Sequence, residues 1–190
     1  MGYKLILASG SPRRSELLAG LGLNFEVRVL QGIDERVPDG LSARATARAI
    51  AEKKAEAYRD SVGEEELVIT ADTIVWLDGQ VLGKPRDERE ARRMLQMLRG
   101  RTHQVVTGVT LQTREKRQTF DCVSDVTFGD ITDREIDYYV SNYKPLDKAG
   151  AYGIQEWIGY VGVERIEGSY FNVMGLPVQR LYQALKTFEI

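Results

Sequence analysis

The chain has 190 residues, with 26 Lys+Arg against 28 Asp+Glu, one Cys and one His. This length fits a single domain over residues 1–190 with one sizeable core, and 43% hydrophobic with 28% charged residues exclude a disordered or collagen-like chain. One cysteine excludes an intrachain disulfide framework or a Cys-rich metal site, and one histidine excludes a site needing two imidazoles. Any metal is then a hard cation held by carboxylates and substrate oxygens. The near-neutral charge argues against a general duplex-binding protein. No run approaches the ~18 apolar residues of a membrane span. Leu5-Ile6-Leu7-Ala8 is too short for a signal peptide, and Ile6 stands where a Met1-Gly2 myristoylation signal needs Ser or Thr. A cytoplasmic setting without a membrane partner is expected.

In chain order, Tyr3–Ala8 reads as a strand, and Ser11 then caps a helix beginning at Pro12, with Leu17, Leu18 and Leu21 inward and Gly22 ending it. Phe25–Leu30 reads as a second strand, followed by an acidic loop with Asp34-Glu35. Ser42 starts an Ala-rich helix to about Tyr58. Leu67–Thr70 and Ile74–Leu77 are short apolar runs on either side of Ala71-Asp72-Thr73, and Asp78-Gly79 turns the chain into Val81-Leu82. Asp87 with Glu90 opens a helix carried by Ala91, Met94, Leu95 and Leu98 to Gly100. Gln104–Thr113 and Gln118–Phe128 alternate as an antiparallel pair across Arg114-Glu115-Lys116. Thr132 with Glu135 opens a further helix, a Gly-rich stretch spans Gly150 to Gly175, and Pro177 begins a terminal helix with Val178, Leu181, Tyr182 and Leu185 inward. The sum is an α/β fold with a mixed sheet.

Three segments carry chemistry. Ser9-Gly-Ser-Pro-Arg13-Arg14 joins a strand to a helix N-terminus, where free N–H groups and two guanidinium forks suit a phosphate; an ordinary capped helix with surface arginines fits the same residues. Asp72, at the end of a buried run, needs a cation, donors or a proton-handling role, or else caps a turn. Gly83-Lys84-Pro85 lets backbone approach a ligand beside an ammonium but lacks a P-loop frame. Asp34-Glu35 and Lys53-Lys54 also suit solvated surfaces. His103 and Cys122 read as structural, and Trp76, Trp157, Tyr138 and Tyr139 as packing residues. Taken together, Arg13, Arg14, Lys54 and Lys84 with Glu35 and Asp72 are the equipment for binding and cleaving a polyphosphate with a divalent cation.

Ser9-Gly-Ser-Pro-Arg-Arg-Ser-Glu-Leu-Leu18, Ala71-Asp-Thr73, Leu82-Gly-Lys-Pro85, Gly100-Arg-Thr-His103 with Thr107-Gly108, and Gly168-Ser-Tyr-Phe-Asn-Val-Met-Gly-Leu-Pro177 resemble the Maf proteins, in order and over nearly the whole chain. The resemblance implies a two-lobed α/β fold with a mixed sheet, flanking helices and a central cleft, related to the inosine-triphosphate pyrophosphatases. It implies hydrolysis of a nucleoside triphosphate to monophosphate and pyrophosphate with Mg²⁺ or Mn²⁺, and a link to cell division. Asp72 matches the family's proton acceptor. Ser9, Arg13, Arg14, Glu35, Lys54, Lys84 and Gln155 match substrate- or metal-handling positions, with Glu35 and Asp72 as metal carboxylates. Lys53 stands beside Lys54, so that assignment holds to within one residue. Glu156 follows Gln155 where many members have Gly.

Arg13, Thr73 and Gln155 resemble the branch acting on dTTP and UTP, whereas the 7-methyl-GTP branch tends to carry Trp, Gln and a charged residue there. An amide at Gln155 offers the donor and acceptor that match the O4 and N3–H of uracil or thymine. The expected partner is a pyrimidine nucleoside triphosphate with no stable nucleic-acid partner, and a homodimer is compatible with the resemblance. The alternatives are a 7-methyl-GTP pyrophosphatase and a non-catalytic nucleotide- or nucleic-acid-binding regulator of division.

Overall fold

The computed structural model describes residues 2–190; Met1, and with it the Met1-Gly2 reading, lies outside the described residues. Its strands are β1 (Lys4–Leu7), β2 (Phe25–Val27), β3 (Glu66–Leu77), β4 (Gln80–Leu82), β5 (Thr102–Gln112), β6 (Arg117–Phe128) and β7 (Val163–Glu167). The helices are α1 (Pro12–Ala19), α2 (Ala43–Ala57), α3 (Glu88–Leu98), α4 (Asp133–Tyr143), α5 (Trp157–Gly162), α6 (Tyr170–Met174) and α7 (Val178–Lys186). The sheet order is β2-β1-β3-β5-β6-β7, with β4 paired to β3. This is the mixed α/β sheet expected from the sequence.

The chain divides into two compact units, one with residues up to Thr73, Thr107–Cys122 and Gly175–Ile190, the other with Ile74–Val106 and Val123–Met174. In the first unit β1 pairs parallel with both β2 and β3. Parallel neighbours require crossovers, and α1 and α2 supply them. Ser42 caps α2 by accepting from the Ala45 N–H (3.3 Å), and Ala43, Ala47, Ala51 and Ala55 form its buried face. That small-residue face lets the helix lie close to the sheet. At Gly108 a Cβ would sit 2.2 Å from the Ala47 carbonyl oxygen, and the Thr70 hydroxyl donates to the Ala51 carbonyl at 2.7 Å. Buried Tyr58, beyond the end of α2, packs with Ile6, Ala8, Val62 and Val68. Its hydroxyl donates to the Arg28 carbonyl and accepts from the Leu30 N–H, both at 2.8 Å.

In the second unit Asp78 (φ 50°) and Gly79 (φ 79°) make the tight turn between β3 and β4, with Leu77 opposite Gln80. Asp87 caps α3 through the Glu90 N–H (2.8 Å), but the Glu90 carboxylate bonds Arg86 N instead of closing a reciprocal box. Thr132 and Glu135 do close one at α4. Leu95, Leu98, Phe128, Ile136, Tyr139 and Ile158 centre the core. His103 belongs to it: the Phe128 and Tyr152 rings lie against the imidazole, and Nε2 bonds the Tyr152 hydroxyl at 2.7 Å.

Four sequence expectations change. Glu66–Leu77 is one continuous strand, so Asp72 lies mid-strand, not between two runs. The second strand ends at Val27. In α7, Leu181, Ala184 and Leu185 are buried, whereas Tyr182 is exposed with Lys186 Nζ over its ring. Cys122 is half-buried, not fully buried. The long β5–β6 hairpin stands as read. Thr102 bonds Thr127, Thr110 bonds Thr119, and the Thr113 N–H donates to the Lys116 carbonyl, so the strands run in opposite directions.

Gly108→Ala should destabilise the protein by about 1–3 kcal/mol, because the obstacle is helix backbone that cannot rotate away; chemical denaturation measures it. Burial pushes the His103 pKa down from 6.5 to about 4. Between those values the unfolded chain binds more protons, so stability should fall as pH drops from 6.5 towards 4 and stay constant, for this group, above 6.5. Denaturation midpoints across that window should show less pH dependence in His103→Gln than in the parent.

Candidate active site

The residues nominated from sequence divide between the two units. Ser9, Arg13, Arg14, Glu35, Lys54, Asp72 and Thr73 belong to the first, and Lys84 and Gln155 to the second.

In the first unit Asp72 stands on the same face of β3 as Thr70, because side chains two apart in a strand share a face. Thr70 is held by the α2 carbonyl of Ala51, so Asp72 also faces α2. Lys54, one turn beyond Ala51, meets it: Lys54 Nζ donates to Asp72 Oδ1 at 2.6 Å and lies 3.2 Å from Glu35 Oε1. The side chains of Lys54 and Asp72 are 14% and 16% exposed, that of Glu35 53%. Two carboxylates thus converge on one ammonium, and Lys54 is their counter-ion. Neighbouring Lys53 instead donates to the Arg36 carbonyl. Asp34, beside Glu35, is engaged by Arg36, which holds its carboxyl well below the usual range.

Arg14 approaches β3 from α1. Its Nε donates to the Gly175 carbonyl (2.9 Å), Nη1 to the Ala71 carbonyl (2.9 Å) and the Ser9 hydroxyl (3.4 Å), and Nη2 to the Thr73 hydroxyl (3.0 Å). Burial lowers its pKa, and the Asp72 carboxylate acts the other way; an arginine stays charged regardless. Thr73 Oγ1 also bonds Thr107 Oγ1 at 2.9 Å. Gly175 holds φ at +123°, a conformation side-chain-bearing residues rarely adopt. Ser9 is buried and its hydroxyl accepts from the Ser11 N–H, whereas Ser11 makes no side-chain cap to α1. Arg13 is half-buried in the first turn of α1.

In the second unit Lys84 is exposed between exposed Gly83 and buried Pro85, and the Gly83 carbonyl accepts from the Gly150 N–H at 3.1 Å. Gln155 is half-buried at the end of a loop that closes on itself. Lys148, 9% exposed, sets its Nζ 3.1 Å from Glu156 and 2.7 Å from Asp147. The Tyr139 hydroxyl donates to Glu156 and accepts from the Gly153 N–H. Burial, reinforced by Glu156, pushes the Tyr139 pKa up, so it remains a donor. Glu156 is therefore part of the loop's brace.

Sequence reasoning named Thr107 only as part of a motif and Tyr139 only as a packing residue, and passed over the Ala71 and Gly175 carbonyls and Lys148. Only Lys148, a cation inside a Gly- and Ala-rich run eight residues before Glu156, left a local signal.

Comparisons with known proteins place the chain among named relatives. A protein of Phocaeicola vulgatus named dTTP/UTP pyrophosphatase is 61% identical over 184 residues, covering 97% of this chain and 95% of that protein. One of the same name from Bacteroides fragilis is 55% identical over the same shares. A solved structure of a HAM1 protein from Coxiella burnetii matches with a TM-score of 0.52 at 15% identity, covering 97% of this chain and 99% of that one, a likeness of fold alone. A family model described as Maf-like protein matches residues 4–188. The chain belongs to the Maf-like protein family.

Proposed function

We propose that the protein hydrolyses the α–β anhydride of dTTP and UTP, releasing the monophosphate and pyrophosphate. The observation that carries this reading is the convergence of Asp72 and Glu35 on Lys54, in a chain whose relatives bear the name dTTP/UTP pyrophosphatase. A carboxylate held in place mid-strand can take a proton from an attacking water without reorganising. Lys54 fixes its orientation. Arg13 supplies a fork and Lys84 a point charge for phosphate oxygens, and the Gln155 amide matches the O4 and N3–H edge of the base. The relatives' names support the pyrimidine substrate over 7-methyl-GTP and over a non-catalytic regulator. A cytoplasmic setting suits such a substrate.

Two hard carboxylate oxygens at one ammonium fit Mg²⁺ or Mn²⁺, which is commonly held by one or two carboxylates, waters and substrate phosphates. Among the described residues no group of three or more His, Cys, Asp or Glu gathers, so Asp72 and Glu35 would hold the ion with ligands from substrate and water. When bound, such an ion neutralises phosphate charge and polarises the scissile phosphorus.

A screen of dTTP, UTP, CTP and 7-methyl-GTP with Mg²⁺ or Mn²⁺, measuring released pyrophosphate, should show dTTP and UTP cleaved best and chelation abolishing turnover. Preference for 7-methyl-GTP would overturn the base assignment and leave the hydrolase standing. Asp72→Asn keeps the shape and an acceptor for Lys54, so it should fold and lose ~10²–10⁴ in turnover; near-normal turnover refutes the role. Lys54→Met removes the counter-ion shared by two carboxylates and should lower both turnover and thermal stability, read by steady-state kinetics and calorimetry. Parental values for both would show that the ion pairs are dispensable.

A further inference from the structure

Two cations grip β3 around Asp72, from opposite faces. Lys54, on α2, bonds the carboxylate itself. Arg14, on α1, bonds the residues on either side: the Ala71 carbonyl and the Thr73 hydroxyl. Its remaining bonds run to Ser9 and Gly175. Four of the five guanidinium N–H groups thus point at protein acceptors on three separate stretches of chain. An arginine that recognises phosphate presents a two-pronged fork to it; here Nε and both Nη atoms are already directed at the protein. Thr73 completes the arrangement, since its hydroxyl accepts from Arg14 and bonds Thr107 on the neighbouring strand.

We propose that Arg14 is a positioning residue for Asp72, holding the backbone on both sides of it, and not a phosphate ligand. The inference rests on Asp72 being the proton-handling carboxylate. A strand lacking this grip could shift or twist at residue 72, and small misplacements of a reacting group cost large factors in rate while leaving substrate binding intact. The positively charged Arg14 belongs to the same scaffold as Gly175, whose φ of +123° presents its carbonyl to Nε. Lysine cannot replace it, because one ammonium does not reach four acceptors spread along a planar fork.

The test is steady-state kinetics on dTTP with Mg²⁺ for Arg14→Lys and Thr73→Val, alone and combined, each checked by thermal unfolding, with inhibition by pyrophosphate measured in parallel. Positioning predicts that Arg14→Lys lowers kcat about tenfold or more, while KM and the pyrophosphate inhibition constant stay within about threefold. Thr73→Val should give a smaller fall in kcat, and the double variant should resemble Arg14→Lys, because both remove one shared bond. In an Asp72→Asn background Arg14→Lys should add little further loss. A raised KM and weakened pyrophosphate inhibition in Arg14→Lys would make Arg14 a phosphate ligand and overturn the proposal. Should Arg14→Lys fail to fold, Thr73→Val decides: parental kcat in that variant refutes the grip. Near-normal turnover of Asp72→Asn would instead refute the reading of Asp72 itself. A full loss in Asp72→Asn combined with an independent, multiplicative effect of Arg14→Lys would leave that reading intact and refute only the coupling.

Discussion

The first unit depends on how closely α2 can lie against the sheet. Gly108 has no Cβ where one would stand 2.2 Å from the Ala47 carbonyl, and Ala43, Ala47, Ala51 and Ala55 keep the helix face low. One turn on from that contact the Thr70 hydroxyl finds the Ala51 carbonyl. Less than a further turn along, Lys54 arrives at Asp72. The rise of 1.5 Å per residue converts a backbone contact at Ala47 into the placement of an ammonium at residue 54. A larger residue at 108 or 47 would lift the helix and open a 2.6 Å ion pair, so packing and chemistry share one constraint.

That placement explains how a mid-strand carboxylate is tolerated. Leaving a buried charge unpaired costs several kcal/mol, yet Asp72 interrupts a stretch, residues 67–75, otherwise made of buried apolar residues and threonines. The two polar residues of the interruption, Asp72 and Thr73, are satisfied on different faces, one by Lys54 and the other by Arg14 and Thr107. The strand therefore continues through them. The second unit solves a similar problem by local means: Lys148 and Glu156 pair across the loop that precedes Gln155, and the Tyr139 hydroxyl bridges Glu156 to Gly153.

What could be read from the sequence was what local chemistry decides. Caps at Ser42, Asp87 and Thr132, the Asp78-Gly79 turn and the β5–β6 alternation depend on neighbours within a few positions, and each appears in the structure. The polar triplet Ala71-Asp72-Thr73 looked like a break because its partners lie far away; Arg14 is bonded to Thr73, 59 residues on, and to Gly175, 161 residues on. Tyr182 looked like a core residue because it falls on the apolar stripe of α7, but an amphipathic ring can sit at the edge of such a stripe with Lys186 above it. Motif spacing nominated candidate residues. It could not say which of them face one another.

Counting cations consequently overstates what is available to an anion. Within the basic set Arg13, Arg14, Lys54 and Lys84, Lys54 neutralises a pair of carboxylates, and Arg14 is bonded to carbonyls and hydroxyls. Both form part of the surroundings that hold Asp72. A group held before substrate arrives needs no reorganisation when charge develops, which is where a preorganised polar site gains over water. What each of these two cations does is therefore set by the fold, through the acceptors it can reach, and for both of them that is the setting of Asp72.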